Sequence, residues 1–545
     1  VGQNGILCRA VDRAGHTTEF KRWIFRQPAA EDTISSTVTG SQPTSMGIRP
    51  FKESVQFLYT DAPPLQTGVT ASRILDATAS VVRGQVVGRD AGALPNVTVS
   101  VLGHPEYGQT QTRANGWYDL VVNGGAQLTL RFNKPGYLEA QRQVTPSRND
   151  YAIVDDVAMV GKSTILSVVD LAAGQFSRSR MANDANGDRD VRLLLKPGTV
   201  ARVFRSPTDS VSFSGQVRTR VSEYTIGGNG PVAMPAGLPP GSAYSYCVDF
   251  ALIEADSLAL SVGASSLTTR FTQPVIGYVR NFLQLPVGSY MPNGSYDPGS
   301  GSWKAETDAI VMKILGFSAT GDTARLDLNG LGTPATQAKL DTLQIDNYEL
   351  TQLKSQFAAG DMLMRFALQH FRTGDLNPPE FPAKPPLHLN PGTVKALPSI
   401  LGCVDRQKGS IIECESCVLG EELPIAGSPF TLNYRSYRAP GDKALRTLKI
   451  PVLGDAVPAG LIKITVYMDV AGHRYPVEHT SPTSHDVVTL TWDGTDAYGR
   501  LVDGSALAHV SIGYKYTPTL SVGTGGNSFN NQAATGTYSW TGTGD

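Results

Sequence analysis

The sequence predicts an all-β protein: antiparallel β-sandwich modules in series, with one short helical insertion. Three observations predict it. Glycine (56) and proline (35) are frequent in the 545 residues, so turns recur throughout. Between the turns lie runs rich in Val, Thr and Ser with period-2 alternation, the pattern of half-buried strands. The chain is also too long for a single core and, at roughly 100–150 residues per domain, holds about four units.

Composition excludes several classes of function. Lys+Arg (47) balance Asp+Glu (48), and no basic run is interleaved with aromatics, so nucleic acid is not an expected partner. No apolar run approaches the roughly 18–20 residues that cross a bilayer, and no signal-peptide pattern opens the sequence. Five cysteines, Cys8, Cys247, Cys403, Cys414 and Cys417, are odd in number and dispersed, unlike a disulfide-stapled domain, and leave the redox compartment open. Both ends read as cut inside structure, so the chain is expected to be a fragment.

The elements follow in order. Gly5–Thr17 alternates, turns, and alternates again to Phe25, a β-hairpin resembling the closing strands of bacterial immunoglobulin-like repeats (residues 1–26). Residues 27–80 are Pro/Ser/Thr-rich and read as a linker packed on its neighbours. In residues 81–160, strands around Val82–Val87, Val97–Val101, Trp117–Val122 and Gln127–Phe132 are bounded by Gly, Pro or Asn and make a small sandwich. Residues of about 82–160 are expected to fold alone, with Val86, Val97, Val99, Leu120 and Leu130 facing the core. The motifs of the sandwich, Leu94-Pro95-Asn96-Val97, Ala114-Asn115-Gly116 and Lys134-Pro135-Gly136-Tyr137, resemble the carboxypeptidase regulatory-like, or transthyretin-related, module.

Residues 161–330 continue as strands, with a hairpin closed at Asn186-Gly187. Residues 331–375 hold helical spacing over Ala335–Leu343 and Asn347–Phe357, with Thr333-Pro334 as a start signal, and then a strand at Met362–Leu368. Residues 376–430 are Pro-rich. Their prolines forbid regular structure, while Phe381, Leu387, Leu389, Val394 and Leu397 supply apolar surface, so this segment is expected to be buried as a plug. Residues 431–545 form an immunoglobulin- or fibronectin-like sandwich.

Leu419–Ser436, with Leu-Gly-Glu-Glu-Leu-Pro-Ile and Pro-Phe-Thr-Leu-Asn-Tyr, resembles the plug that opens the shell of bacterial Rhs/YD-repeat proteins, relatives of teneurins. That resemblance implies a non-catalytic scaffold and plug of a bacterial, secreted or cell-surface polymorphic toxin. Its partners would be the remainder of its own chain, a YD-repeat shell around a C-terminal toxin, together with secretion machinery or a target-cell surface. One alternative is a teneurin-like cell-surface adhesion protein, and another a carbohydrate-binding accessory region of a secreted hydrolase. The five tryptophans lie singly along the sequence and argue against the last.

No enzyme is expected: Gly-x-Ser-x-Gly, His-Glu-x-x-His and phosphate-loop motifs are absent. No cofactor is expected either. The weak metal candidates are Asp184, Asn186 and Asp188, whose spacing alternates oxygen ligands but lacks a distal acid, and Cys403, Cys414 and Cys417 with His388. The plainer readings are a hairpin turn for the first and structural thiols for the second. Asp327-Leu328-Asn329-Gly330-Leu331 resembles a calcium loop of the family with Leu331 in place of an acid. His473, His479 and His485 recur every six residues, and Pro476 and Pro482 are expected to break the segment into a loop of solvated histidines.

Overall fold

The computed structural model describes residues 4–11, 17–24, 49–184, 187–227, 230–238, 245–263, 266–377, 380–382, 395–396, 412–415, 418–435, 446–502, 506–516 and 518–520. Strands in several, mostly antiparallel sheets dominate, and the few helices are short, so the protein is all-β.

In the first complete sandwich, Ala79–Gly88 pairs antiparallel with Trp117–Asn123. Its other edge takes Asp150–Ile153 and then Val157–Met159, both parallel. The facing sheet runs Gln66–Thr67, Gln109–Gln111, Thr98–Val101, Leu128–Asn133, Ala140–Val144. Val86, Val97, Val99, Leu120 and Leu130 are all buried between the two layers, because alternation sends every second side chain inward. Residues 49–60 are more than a linker. Phe51–Val55 and Phe57–Thr60 form short helices whose Val55, Phe57 and Leu58 enter the same core.

The second body has two sheets. One is six-stranded and carries Leu166–Asp170, Gln216–Glu223, Cys247–Leu252 and Thr373–Leu376; the other is nine-stranded around Thr268–Arg280 and Met362–Phe371. The chain crosses between them at Arg372, where Met362–Phe371 gives way to Thr373–Leu376. Val217, Val248, Phe250, Val279, Met364 and Phe366 fill the space between the sheets. The predicted helices, Gln337–Thr342 and Asn347–Gln356, are capped by Thr336 and Asp346, whose side chains accept from the backbone N–H of Lys339 and Glu349. They cover a second cluster containing Tyr278, Ile314, Leu350 and Leu353. Beneath them Arg365 donates to both oxygens of Glu349 at 2.6 and 3.0 Å, and the Tyr278 hydroxyl donates to the same carboxylate. The helix Ile253–Ser261 was not anticipated.

In the last sandwich, Leu461–Val470 lies between His473–His479 and Ala508–Tyr516. Thr447–Pro451 and Val487–Thr491 form the facing layer, with Trp492 and Val466 in the core. The predicted N-terminal hairpin is present as Asn4–Val11 and Thr17–Ile24, and Leu7 and Cys8 pair in parallel with His509 and Val510. One expectation is corrected here. Residues 473–479 are not a loop but an edge strand in which Pro476 sits opposite Tyr467. A proline is compatible with an edge, where no neighbour needs its missing N–H. Most of the Pro-rich plug segment lies outside the described residues.

Candidate interaction interface

Of the sequence-derived metal candidates, Asp184, Asp188 and Cys414 lie among the described residues. Asp184 is engaged by Arg189, whose Nη1 and Nη2 each lie 2.8 Å from a different carboxylate oxygen, and Arg189 also donates to Glu223 at 2.7 Å. Asp188 accepts from the Asn183 amide across a hairpin in which Asp184 pairs with Gly187. These acids therefore serve the hairpin and an internal guanidinium. Asn186, Cys403, Cys417 and His388 lie outside the described residues; Cys414 stands in the strand Ile412–Glu415. No group of three or more metal-ligating residues occurs among the described residues.

Asp327 accepts from the backbone N–H of Asn329, Gly330 and Gly332 at 3.0, 2.8 and 2.8 Å. Burial would raise its pKa, but these N–H groups outweigh it and hold the carboxyl below its usual range. The three histidines also part: His473 bonds the Asp496 carbonyl, His479 faces Asp486, and His485 faces Asp455.

What the structure does bring together is a pair of buried seams around the first sandwich. The first seam receives the turn at residues 493–501 of the last module. Asp496 shapes that turn by accepting from the backbone N–H of Tyr498 and Arg500 and pairing with the Arg500 guanidinium at 2.6 Å. Gly499 closes it with φ +75°, a conformation that suits glycine. Tyr498 is thereby driven into the neighbour's core. Its ring meets Phe57 edge-on at 5.1 Å and its hydroxyl donates to the fully buried Asp119 at 3.1 Å. Arg83 and Arg113 flank the same carboxylate at 3.5 and 2.7 Å. Arg500 reaches the Ser54 carbonyl at 2.7 Å, so the helical turns at 51–60 join the seam. At its rim His509 and Asp150 meet at 2.7 Å and Arg474 bridges Asp155 and Asp469.

The second seam joins the first sandwich to the body at 161–377. Val87, Leu138, Ala158 and Val160 pack on Tyr224, Ala233, Met234 and Cys247. Arg142 donates to the carbonyls of Val232 and Met234 at 2.6 and 3.0 Å, and its burial pulls its pKa down to about 10. Gln141 accepts from the Tyr296 hydroxyl at 2.7 Å and donates to Pro298 O at 2.9 Å. Sequence alternation marks each partner surface as buried, but nothing local identifies the surface it meets.

The first sandwich is two-layered, with two successive parallel segments on one edge of an otherwise antiparallel pairing. The family model of the teneurin TTR-like domain matches residues 74–159, and the region is teneurin-like. Teneurin-3 of Mus musculus is 34% identical over 146 residues, 27% of this chain and 5% of that protein. Teneurin-1 of Gallus gallus is 46% identical over 81 residues, 15% of this chain and 3% of its own length. Teneurin-m of Drosophila melanogaster is 36% identical over 109 residues, 20% of this chain and 4% of its length. The chain thus spans only a small part of these relatives. Among solved structures, a streptococcal ancillary pilin is similar over 32% of this chain and 60% of its own, at 11% identity and a TM-score of 0.13.

Proposed function

We propose that the chain is a non-catalytic scaffold of a larger teneurin-like protein, in which the transthyretin-related module is the hub that fixes two flanking β-bodies. The observation that carries this reading is the double engagement of that module: the buried Tyr498 enters its core from the last sandwich, and the half-buried Arg142 reaches from it to the carbonyls of Val232 and Met234 in the neighbouring body. Apolar cores, hydrogen-bonded loops and ion pairs together make such seams rigid, and rigidity is what a scaffold supplies. The finer reading is an Rhs-type scaffold and plug, secreted or at a bacterial cell surface. Residues 376–430 would plug a β-shell formed by the rest of the chain around a toxin. Its support is the resemblance at Leu419–Ser436. Cell-surface adhesion is favoured instead by the teneurin relatives themselves.

Limited proteolysis tests the plug. In the parent protein carrying its downstream repeats, Lys384 and Lys395 should resist cleavage that occurs readily in the present chain alone. Equal cleavage in both would leave the plug reading without support and favour the adhesive one. Small-angle scattering of the present chain tests the scaffold separately: a single rigid envelope is expected, and a distribution of module arrangements would overturn it.

A further inference from the structure

The seam around Tyr498 holds more buried positive charge than its own carboxylates balance. Arg83, Arg113 and Arg500 face Asp119 and Asp496. Asp496 is taken up by Arg500 and by two backbone N–H groups. Asp119 is left to serve Arg83, Arg113 and the Tyr498 hydroxyl together. Nε and Nη1 of Arg83, Nε and Nη1 of Arg113, and the Tyr151 hydroxyl are buried with no hydrogen-bond partner.

These donors lie close together. The Arg83 guanidinium carbon is 5.6 Å from the Tyr498 ring centre, and the Tyr151 and Tyr498 rings are 6.1 Å apart. Arg83 is 6% exposed and Tyr151 7%. At the rim of the seam, Asp155 and Asp469 share Arg474. Asp155 is 55% exposed, so water screens it from the interior. An unbalanced guanidinium held out of water is costly, and orphaned donors beside it add to the cost.

We propose that this seam binds one small monovalent anion between Arg83, Arg113 and Tyr151. A water molecule would satisfy donors but not charge, whereas an anion does both. The rings of Trp117 and Tyr498 over the Arg83 guanidinium, with Tyr151 beside Tyr498, leave little room and suit a monatomic ion better than an oxyanion, and Arg113, whose side chain is 13% exposed, marks the way in. The anion is thus a ligand of the joint between the transthyretin-related module and the last sandwich.

Chloride is the probe. Thermal unfolding of the full chain is followed while sodium chloride replaces sodium gluconate at constant ionic strength. A saturable rise in Tm is expected with chloride and with bromide, and a flat response in Arg113→Gln, which removes the surplus charge. Identical melting curves across the salts would overturn the proposal. If the variant does not fold, crystals of the unaltered chain grown in bromide decide: an anomalous peak within hydrogen-bond reach of Arg83 and Arg113 supports the site, and bromide found only on the outer surface rejects it.

Discussion

Tyr498 and Asp119 are 379 residues apart in sequence, yet the tyrosine hydroxyl donates to the aspartate Oδ1 at 3.1 Å inside a core that belongs to the aspartate's module. The contact ties a turn of the last sandwich to the strand Trp117–Asn123 of the first. Removing only the hydroxyl, in Tyr498→Phe, leaves the ring packing intact and takes one donor from a buried carboxylate, at a cost of ~1–3 kcal/mol. Tyr498→Ala also opens a cavity, and large-to-small changes at buried aromatics cost ~3–5 kcal/mol. Differential scanning calorimetry of the full chain should show both as a lower midpoint, and in the alanine variant a splitting of transitions as the two modules uncouple.

The rim of the same seam makes its strength depend on pH. The hydrogen bond that His509 donates to the Asp150 carboxylate raises the histidine's pKa and outweighs the lowering by burial. A histidine whose folded pKa is raised contributes stability that is fully present below its unfolded value of about 6.5, and that is lost as pH rises through the folded value. Stability should therefore fall with rising pH from about 6.5 upward. Urea unfolding at a series of pH values should show this slope in the unaltered chain and its loss in His509→Gln. A slope that persists in the variant would refute the assignment.

Gly472 faces Tyr151 across this seam. Its φ is +81°, and a Cβ there would stand 2.8 Å from the Ala497 Cβ and 2.9 Å from Tyr151 Cδ1. Gly472→Ala combines backbone strain with a steric clash, and a destabilisation of ~1–3 kcal/mol is expected. Denaturant titration measures it. A neutral result would mean that the seam is looser than its distances indicate.

The body at 161–377 has its own sensitive point. Glu349 and Arg365 are both buried, and together with Tyr278 they satisfy one another. Removing one partner, as in Arg365→Met, leaves the buried carboxylate with only the Tyr278 hydroxyl and Lys196 at 3.9 Å, and should cost ~3 kcal/mol. Hydrogen exchange should show the loss concentrated in Asn347–Gln356 and Met362–Phe371, with the other two modules protected as before.

Much of this architecture is legible in the sequence because strand alternation and turn chemistry are local. Val97, Val99, Leu120 and Leu130 sit where period-2 patterning puts them, and Gly187 pairs with Asp184 in a hairpin at the turn signal. Ile253–Ser261 was missed because it follows directly on a strand and has no strong apolar stripe to set it apart. Pro476 misled because whether proline is tolerated in a strand depends on the strand being at an edge, which is a property of the whole sheet. The seams were invisible for a related reason. Tyr498 reads as a turn residue and Asp119 as a strand residue, and only the docking of two modules brings them together.

The last prediction concerns what the transthyretin-related module needs in order to fold. Alternation alone suggests that residues 82–160 suffice. The structure adds Val55, Leu58, Ile74, Ala79 and Val81 to the core, each at most 1% exposed. It also adds Gln66, whose side-chain amide donates to the carbonyls of Tyr107 and Val121 at 2.7 and 2.9 Å and accepts from the Val121 N–H at 2.7 Å. A piece that starts at Val82 loses these side chains and leaves buried backbone groups unpaired. Fully burying a Val or Leu contributes ~1.5–3 kcal/mol, so the loss is comparable to the whole stability of a small domain. A fragment of residues 49–160 should therefore unfold cooperatively, and one of residues 82–160 should show no cooperative transition by circular dichroism. Equal midpoints for the two would show that the helical turns at 51–60 and Gln66 are dispensable, and would return the boundary to where alternation puts it.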